Sequence, residues 1–169
     1  RPPGHHAARS MYGGFCYFNN AAIAAEAIAR RTGEHVSILD VDFHHGNGTA
    51  GIFAGDGDVC TFSMHQERNY PAEKPPSSID IGLPDRTGDD EYLARLEEAL
   101  PLVLGTLPEV VFYLAGADPF EDDVLGGLAL SKDGLRRRDR MVFDAAAAAG
   151  CPVVVTLAGG YARHVNDTV

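Results

Sequence analysis

No apolar stretch in the 169-residue chain approaches the length of a bilayer, so a membrane-spanning helix is not expected. Basic residues are in short supply: 14 Lys and Arg stand against 24 Asp and Glu, and the net charge of -10 would repel a polyphosphate. The one basic run, Arg136-Arg137-Arg138 with Arg140, is broken by Asp139 and reads as a solvated helix face rather than a nucleic-acid site. Cysteine is sparse as well. Cys16, Cys60 and Cys151 are far apart and lack the CxxC spacing of a zinc knuckle or redox pair, which points to a reducing, cytoplasmic setting. The start, Arg1-Pro2-Pro3-Gly4-His5-His6, has neither an initiating Met nor the layout of a secretory signal, as expected of a piece of a longer protein.

What is present suits one compact domain or part of one. Four β-branched runs predict buried strands at His35 to Val41, Asp58 to His65, Glu109 to Gly116 and Pro152 to Ala158. Helices are predicted over Asn19 to Arg31, with Asn19 or Asn20 as N-cap and Gly33 as stop, over Asp89 to Leu104, and over Leu135 to Ala149. The alternation predicts an α/β fold, a parallel sheet covered by helices on both faces. The loop from Gln66 to Arg86, rich in Pro and Ser, is the longest irregular stretch and a candidate binding surface.

Ligands of open parallel sheets bind beyond the carboxyl ends of the strands. Asp40, Asp42 and His44 close the first strand, His65 the second, Asp118 follows the third and Tyr161 the fourth. If the first strand stays extended, Asp40, Asp42 and His44 share one face while Val41 and Phe43 pack on the other. Paired carboxylates there need a metal, a proton or a basic partner. Zinc accepts Asp oxygen and His nitrogen and keeps an open position when catalytic, so Asp42, His44 and Asp118 are the candidate ligands; two carboxylates and one imidazole suit iron(II) equally. The competing reading is a capping and turn cluster, with Asp118 an N-cap before Pro119. His5-His6 is either a surface pair or the base and acid that amide hydrolysis requires, with Asp40 fixing one tautomer. Tyr161, after Gly159-Gly160, is either a core tyrosine or a phenol facing a developing oxyanion. Gly13-Gly14-Phe15 offers backbone able to approach a ligand and an aromatic wall of a narrow apolar tube.

Five ordered motifs carry a resemblance: Arg1-Pro2-Pro3-Gly4-His5-His6, Gly14-Phe15-Cys16-Tyr17, Asp40 to Thr49 (DVDFHHGNGT), Gly116-Ala117-Asp118 and Gly159-Gly160-Tyr161. Together they resemble the zinc-dependent histone deacetylases of the arginase/deacetylase superfamily. Asp89-Asp90-Glu91-Tyr92-Leu93 and Asp123 to Leu128 are most similar to the class IV branch and its bacterial relatives. The resemblance implies the three-layer arginase/deacetylase fold, here a partial catalytic domain over 1–169, truncated at both ends and without its N-terminal strands. It implies hydrolysis of an N-acyl amide, typically an acyl-lysine or a related acylated amine. Residue by residue it implies zinc on Asp42, His44 and Asp118, His5 against Asp40, His6 as general base and acid, Tyr161 as carbonyl polariser, and Gly14 and Phe15 at the acyl-lysine stem. It also implies a structural potassium ion near Asp40, Asp42, His44, Ser63 and Met64. Asn47 departs from the carboxylate that some members place beside the second histidine. Two alternatives compete. An arginase-like dinuclear manganese hydrolase would need Asp where Gly46 stands, and a non-catalytic acyl-ligand binding fragment would need no chemistry at all.

Overall fold

The computed structural model describes residues 4–168, so Arg1, Pro2 and Pro3 of the first motif lie outside the described residues. Five strands form one parallel sheet: β1 (Val36–Asp40), β2 (Val59–Gln66), β3 (Ile79–Leu83), β4 (Val110–Ala115) and β5 (Val153–Leu157), in the order β3-β2-β1-β4-β5. Every residue of β1 is buried, as befits a central strand with a helix layer on each side.

The two layers follow from sequence pattern. Helix α1 (Asn20–Thr32) starts where the Asn19 side chain accepts the Ala22 N–H, and buries Ala21, Ala22, Ala25 and Ala29 against Val36, Ile38, Phe112 and Leu114. On the other face, α3 (Asp89–Leu104) and α4 (Lys132–Ala148) pack over Leu39, Phe62, Met64, Val111 and Tyr113. Helix α1 meets the sheet with small alanines, whereas α3 packs against it with Tyr92, Leu93, Leu96 and Leu100. At the far edge, β5 leaves Val154, Val155 and Leu157 exposed.

Four expectations need correction. The Gln66 to Arg86 loop contains β3, whose short polar-interrupted IDIGL pairs in register with Phe62 to Gln66. A further helix, α2 (Asn47–Ile52), forms from NGTAGI, where two glycines hide the helical pattern. Helix α4 begins at Lys132 rather than Leu135, because Ser131 caps it by accepting the Gly134 N–H. Finally, Arg138 is not on a solvated face. Its side chain is buried, and its guanidinium donates to the Gly116 carbonyl at 2.6 Å and to Asp139 at 2.8 Å.

Candidate active site

Strand β1 ends at Asp40, so the alternation expected to run on through His44 stops there and the chain bends. Convergence survives for another reason: neighbouring segments hold each side chain. Asp42 Oδ1 accepts the His44 N–H at 2.9 Å, and Oδ2 accepts the Gly159 N–H at 2.7 Å. Asp118 Oδ1 accepts the Phe43 N–H at 3.0 Å. These bonds tie the ends of β1, β4 and β5 into one floor.

On that floor, His44 Nδ1 lies 3.0 Å from Asp42 Oδ1 and 3.5 Å from Asp118 Oδ2. Two ligands of a tetrahedral ion with bonds of about 2.0–2.1 Å stand about 3.4 Å apart, so the spacing fits one small cation. Among the described residues Asp118 Oδ2 is buried without a hydrogen-bond partner, an unmet demand that a cation would satisfy. Burial and the Asp42 charge push the Asp118 carboxyl up to about 8, a sign that the two carboxylates crowd each other. Burial would lower His44, but the neighbouring carboxylates of Asp118 and Asp42 raise it to about 9. The three residues therefore fit a divalent metal. Gly159 leaves room for this arrangement, since a Cβ there would meet Asp118 Oδ2 at 1.9 Å and Asp42 Oδ2 at 2.6 Å.

Beside the floor stands the histidine pair, with ring centroids 4.1 Å apart. His5 donates from Nδ1 to Asp40 Oδ2 at 2.6 Å in full burial. Burial opposes its charge, but Asp40 and Asp42 outweigh that and raise it to about 9. His6 donates from Nδ1 to Asn47 Oδ1 at 2.7 Å. Burial, then the charge of His5, lowers it to about 3. Two adjacent imidazoles are thus driven apart, one cationic and one neutral with a free Nε2 lone pair, as an acid–base site requires.

A cavity of about 760 Å³ opens over the Asp42 and His44 floor, lined by His6 and by Phe15, Tyr70, Leu125 and Tyr161 among others. Gly14 takes a left-handed φ of 52°, and any Cβ there would stand 2.1 Å from the His6 ring. The adjacent Phe15 is exposed, with its ring centroid 6.3 Å from that of Tyr161. Sequence reasoning missed Tyr70, whose ring stands edge-on to His6 at 4.9 Å, although it lies in the loop marked as a binding surface. Asp123 was missed too. Its Oδ1 accepts the Leu125 and Gly126 N–H groups and its Oδ2 accepts the Tyr161 N–H at 2.6 Å, so one carboxylate fixes two walls. Of the residues expected near potassium, Asp40 Oδ1 accepts the Asp42 N–H, Ser63 Oγ accepts the Gly46 N–H, and Met64 packs its side chain in the core.

Residues 1–168 match the histone deacetylase domain. The chain belongs to the histone deacetylase family. This deacetylase-family chain is 44% identical over 167 residues to an uncharacterised protein of Picosynechococcus sp., covering 98% of this chain and 56% of that protein. It is 34% identical over 179 residues to the acetylpolyamine amidohydrolase of Mycoplana ramosa, covering 95% of this chain and 50% of the relative. The crystal structure of acetylpolyamine aminohydrolase from Burkholderia pseudomallei superposes with a TM-score of 0.84 at 32% identity, over 99% of this chain and 51% of that one. The chain thus spans about half the length of the curated relatives it matches. Its α/β parallel sheet is the fold of these amidohydrolases.

Proposed function

We propose that this chain carries the reacting centre of a zinc-dependent amidohydrolase that removes an acyl group from acyl-lysine or from a related acylated amine. One observation supports this above the rest: an unpartnered Asp118 Oδ2 meets Asp42 and His44 at a cavity floor, beside an imidazole pair split into one cation and one neutral base. Asp42, His44 and Asp118 would hold the ion, zinc or iron(II), which when bound polarises the amide carbonyl and acidifies a water molecule.

The chain's own residues supply the rest. His6 Nε2 takes the proton of the attacking water as oxygen bonds to the carbonyl carbon, then returns it to the departing amine as the C–N bond breaks. Asn47 holds His6 in the tautomer that leaves Nε2 bare, and a neutral acceptor there keeps the ring an uncharged base. His5 stays protonated against Asp40 and contributes positive charge beside the developing oxyanion. The Tyr161 phenol donates to that oxyanion, and Phe15 with Gly14 borders the substrate stem. A potassium ion near Asp40, Asp42, His44, Ser63 and Met64 would brace the β1 end. Phe15, Tyr70, Leu125 and Tyr161 give the cavity apolar and aromatic surface suited to an alkyl stem, and relatives named acetylpolyamine amidohydrolase make an acylated polyamine a candidate beside acyl-lysine. A cytoplasmic setting suits three free cysteines, and no described helix is long and apolar enough to cross a membrane.

The test uses full-length, metal-reconstituted protein with acetyl-lysine peptides and acetylpolyamines in parallel. His6→Ala abolishes turnover of whichever substrate is accepted and retains the metal. Unchanged hydrolysis by that variant would sink the assignment.

A further inference from the structure

A second set of metal-ligating side chains lies behind the first. His45, His65 and Asp80 come from three separate elements, the turn after β1, the end of β2 and the interior of β3, yet a donor atom of each lies within 4.8 Å of the others. None of them borders the cavity described above.

Two of the three donors are oriented by a bond to their other side. Asp80 Oδ2 accepts the Ser77 N–H at 2.8 Å, which turns Oδ1 toward His45 Nε2 at 3.2 Å. His65 Nδ1 is held by Ser63 Oγ at 3.1 Å, and its Nε2 has no hydrogen bond to any described residue. The imidazoles meet edge to face with centroids 4.6 Å apart. Among the described residues, Asp80 is the hydrogen-bond partner of the buried His45 ring, and Nδ1 has none. Such backing by a second shell is what orients histidine and carboxylate ligands in metal sites. The 3.2 Å edge between Asp80 and His45 also lies between the tetrahedral and octahedral ligand separations, about 3.4 and 2.9 Å, for bonds near 2.05 Å.

Charge and access agree with this geometry. Burial opposes ionisation of Asp80, but hydrogen bonds from His45 and Ser77 hold its carboxyl below the usual range. His45 and His65 are buried, whereas the Asp80 side chain is 32% exposed and forms the entry from solvent.

We infer that His45, His65 and Asp80 form a second, structural site for a divalent transition metal of the zinc type, which staples β2 and β3 to the turn carrying His44. Two imidazoles and one carboxylate suit zinc, cobalt or nickel better than calcium or magnesium, with water completing the shell. The inference does not depend on the proposed hydrolysis.

The experiment is a zinc and cobalt titration of the chelator-stripped full chain, followed by calorimetry and by the cobalt absorption spectrum. Wild type takes up two equivalents, whereas Asp80→Asn and His65→Gln each take up one. Asp42→Asn, which cripples the first site, keeps the second. A single equivalent in wild type, or two equivalents in both Asp80→Asn and His65→Gln, would overturn the inference. Asp80→Asn is isosteric and lies at the solvent end. Should neither variant fold, the second cobalt equivalent is located in wild type by its paramagnetic shifts on the His65 and Asp80 resonances, and the absence of such shifts refutes the site.

Discussion

Replacing Gly159 with Ala puts one methyl group into the metal floor and nothing else. The new Cβ would stand 1.9 Å from Asp118 Oδ2 and 2.6 Å from Asp42 Oδ2, where folded proteins tolerate little under about 3 Å. Asp118 Oδ2 must therefore retreat by about 1 Å, and Asp42 must give as well, although the Gly159 N–H still holds it. Ligand shells disturbed on this scale lose about 10–100-fold in metal affinity, or roughly 1.4–2.8 kcal/mol. Competition against a fluorescent chelator reads the zinc dissociation constant directly. Gly57→Ala is the control, since a Cβ at that position meets nothing within 4 Å. Zinc affinity in Gly159→Ala within twofold of wild type would mean that Asp42 and Asp118 do not share an ion beside this glycine.

Two more outcomes are expected. Arg138→Met removes the donor to the Gly116 carbonyl and strips Asp139 of its cation, so urea unfolding is expected to show a loss of about 3 kcal/mol, and a loss under about 1 kcal/mol would show that Arg138 does not brace the loop. His5, with a folded pKa raised to about 9 from 6.5, contributes stability that is complete below pH 6.5 and is lost as pH rises through 9. The stability advantage of metal-free wild type over His5→Gln is therefore expected to shrink by about 3 kcal/mol between pH 6.5 and pH 9.5, and a constant difference would argue against a protonated His5.

The sheet was legible wherever a strand was buried on both faces. Val36 to Asp40, Val59 to Gln66 and Val110 to Ala115 announce themselves as apolar runs because helices cover both sides. The edge strand β3 did not, because Asp80 and Gly82 interrupt a short, half-buried run. Arg138 was misread from its neighbours: Arg136 and Arg137 suggested a wet face, while the spacing of Gly134, Arg138, Val142 and Ala146 already traced the buried stripe of α4. In the site, polar residues at strand ends pointed to Asp42, His44 and Asp118, which the fold brings within reach of one another, and to the histidine pair beside them. Asp123 escaped notice because its work is done through backbone amides of Leu125, Gly126 and Tyr161, and a carboxylate that serves backbone leaves no spacing signature.

The bond from the Gly159 N–H to Asp42 Oδ2 joins residues 117 apart in sequence. No local stretch of chain can therefore preassemble the floor; it exists only while β5 lies docked beside β4. By mass action, an ion that binds only this closed arrangement lends its binding energy to the docking of β5. The strand least protected by its own burial then becomes the one whose opening rate reports whether the floor is filled. An ion held there would act as a latch on the sheet's last strand as well as a reagent, and slow amide exchange in Val153 to Leu157 is the trace it would leave.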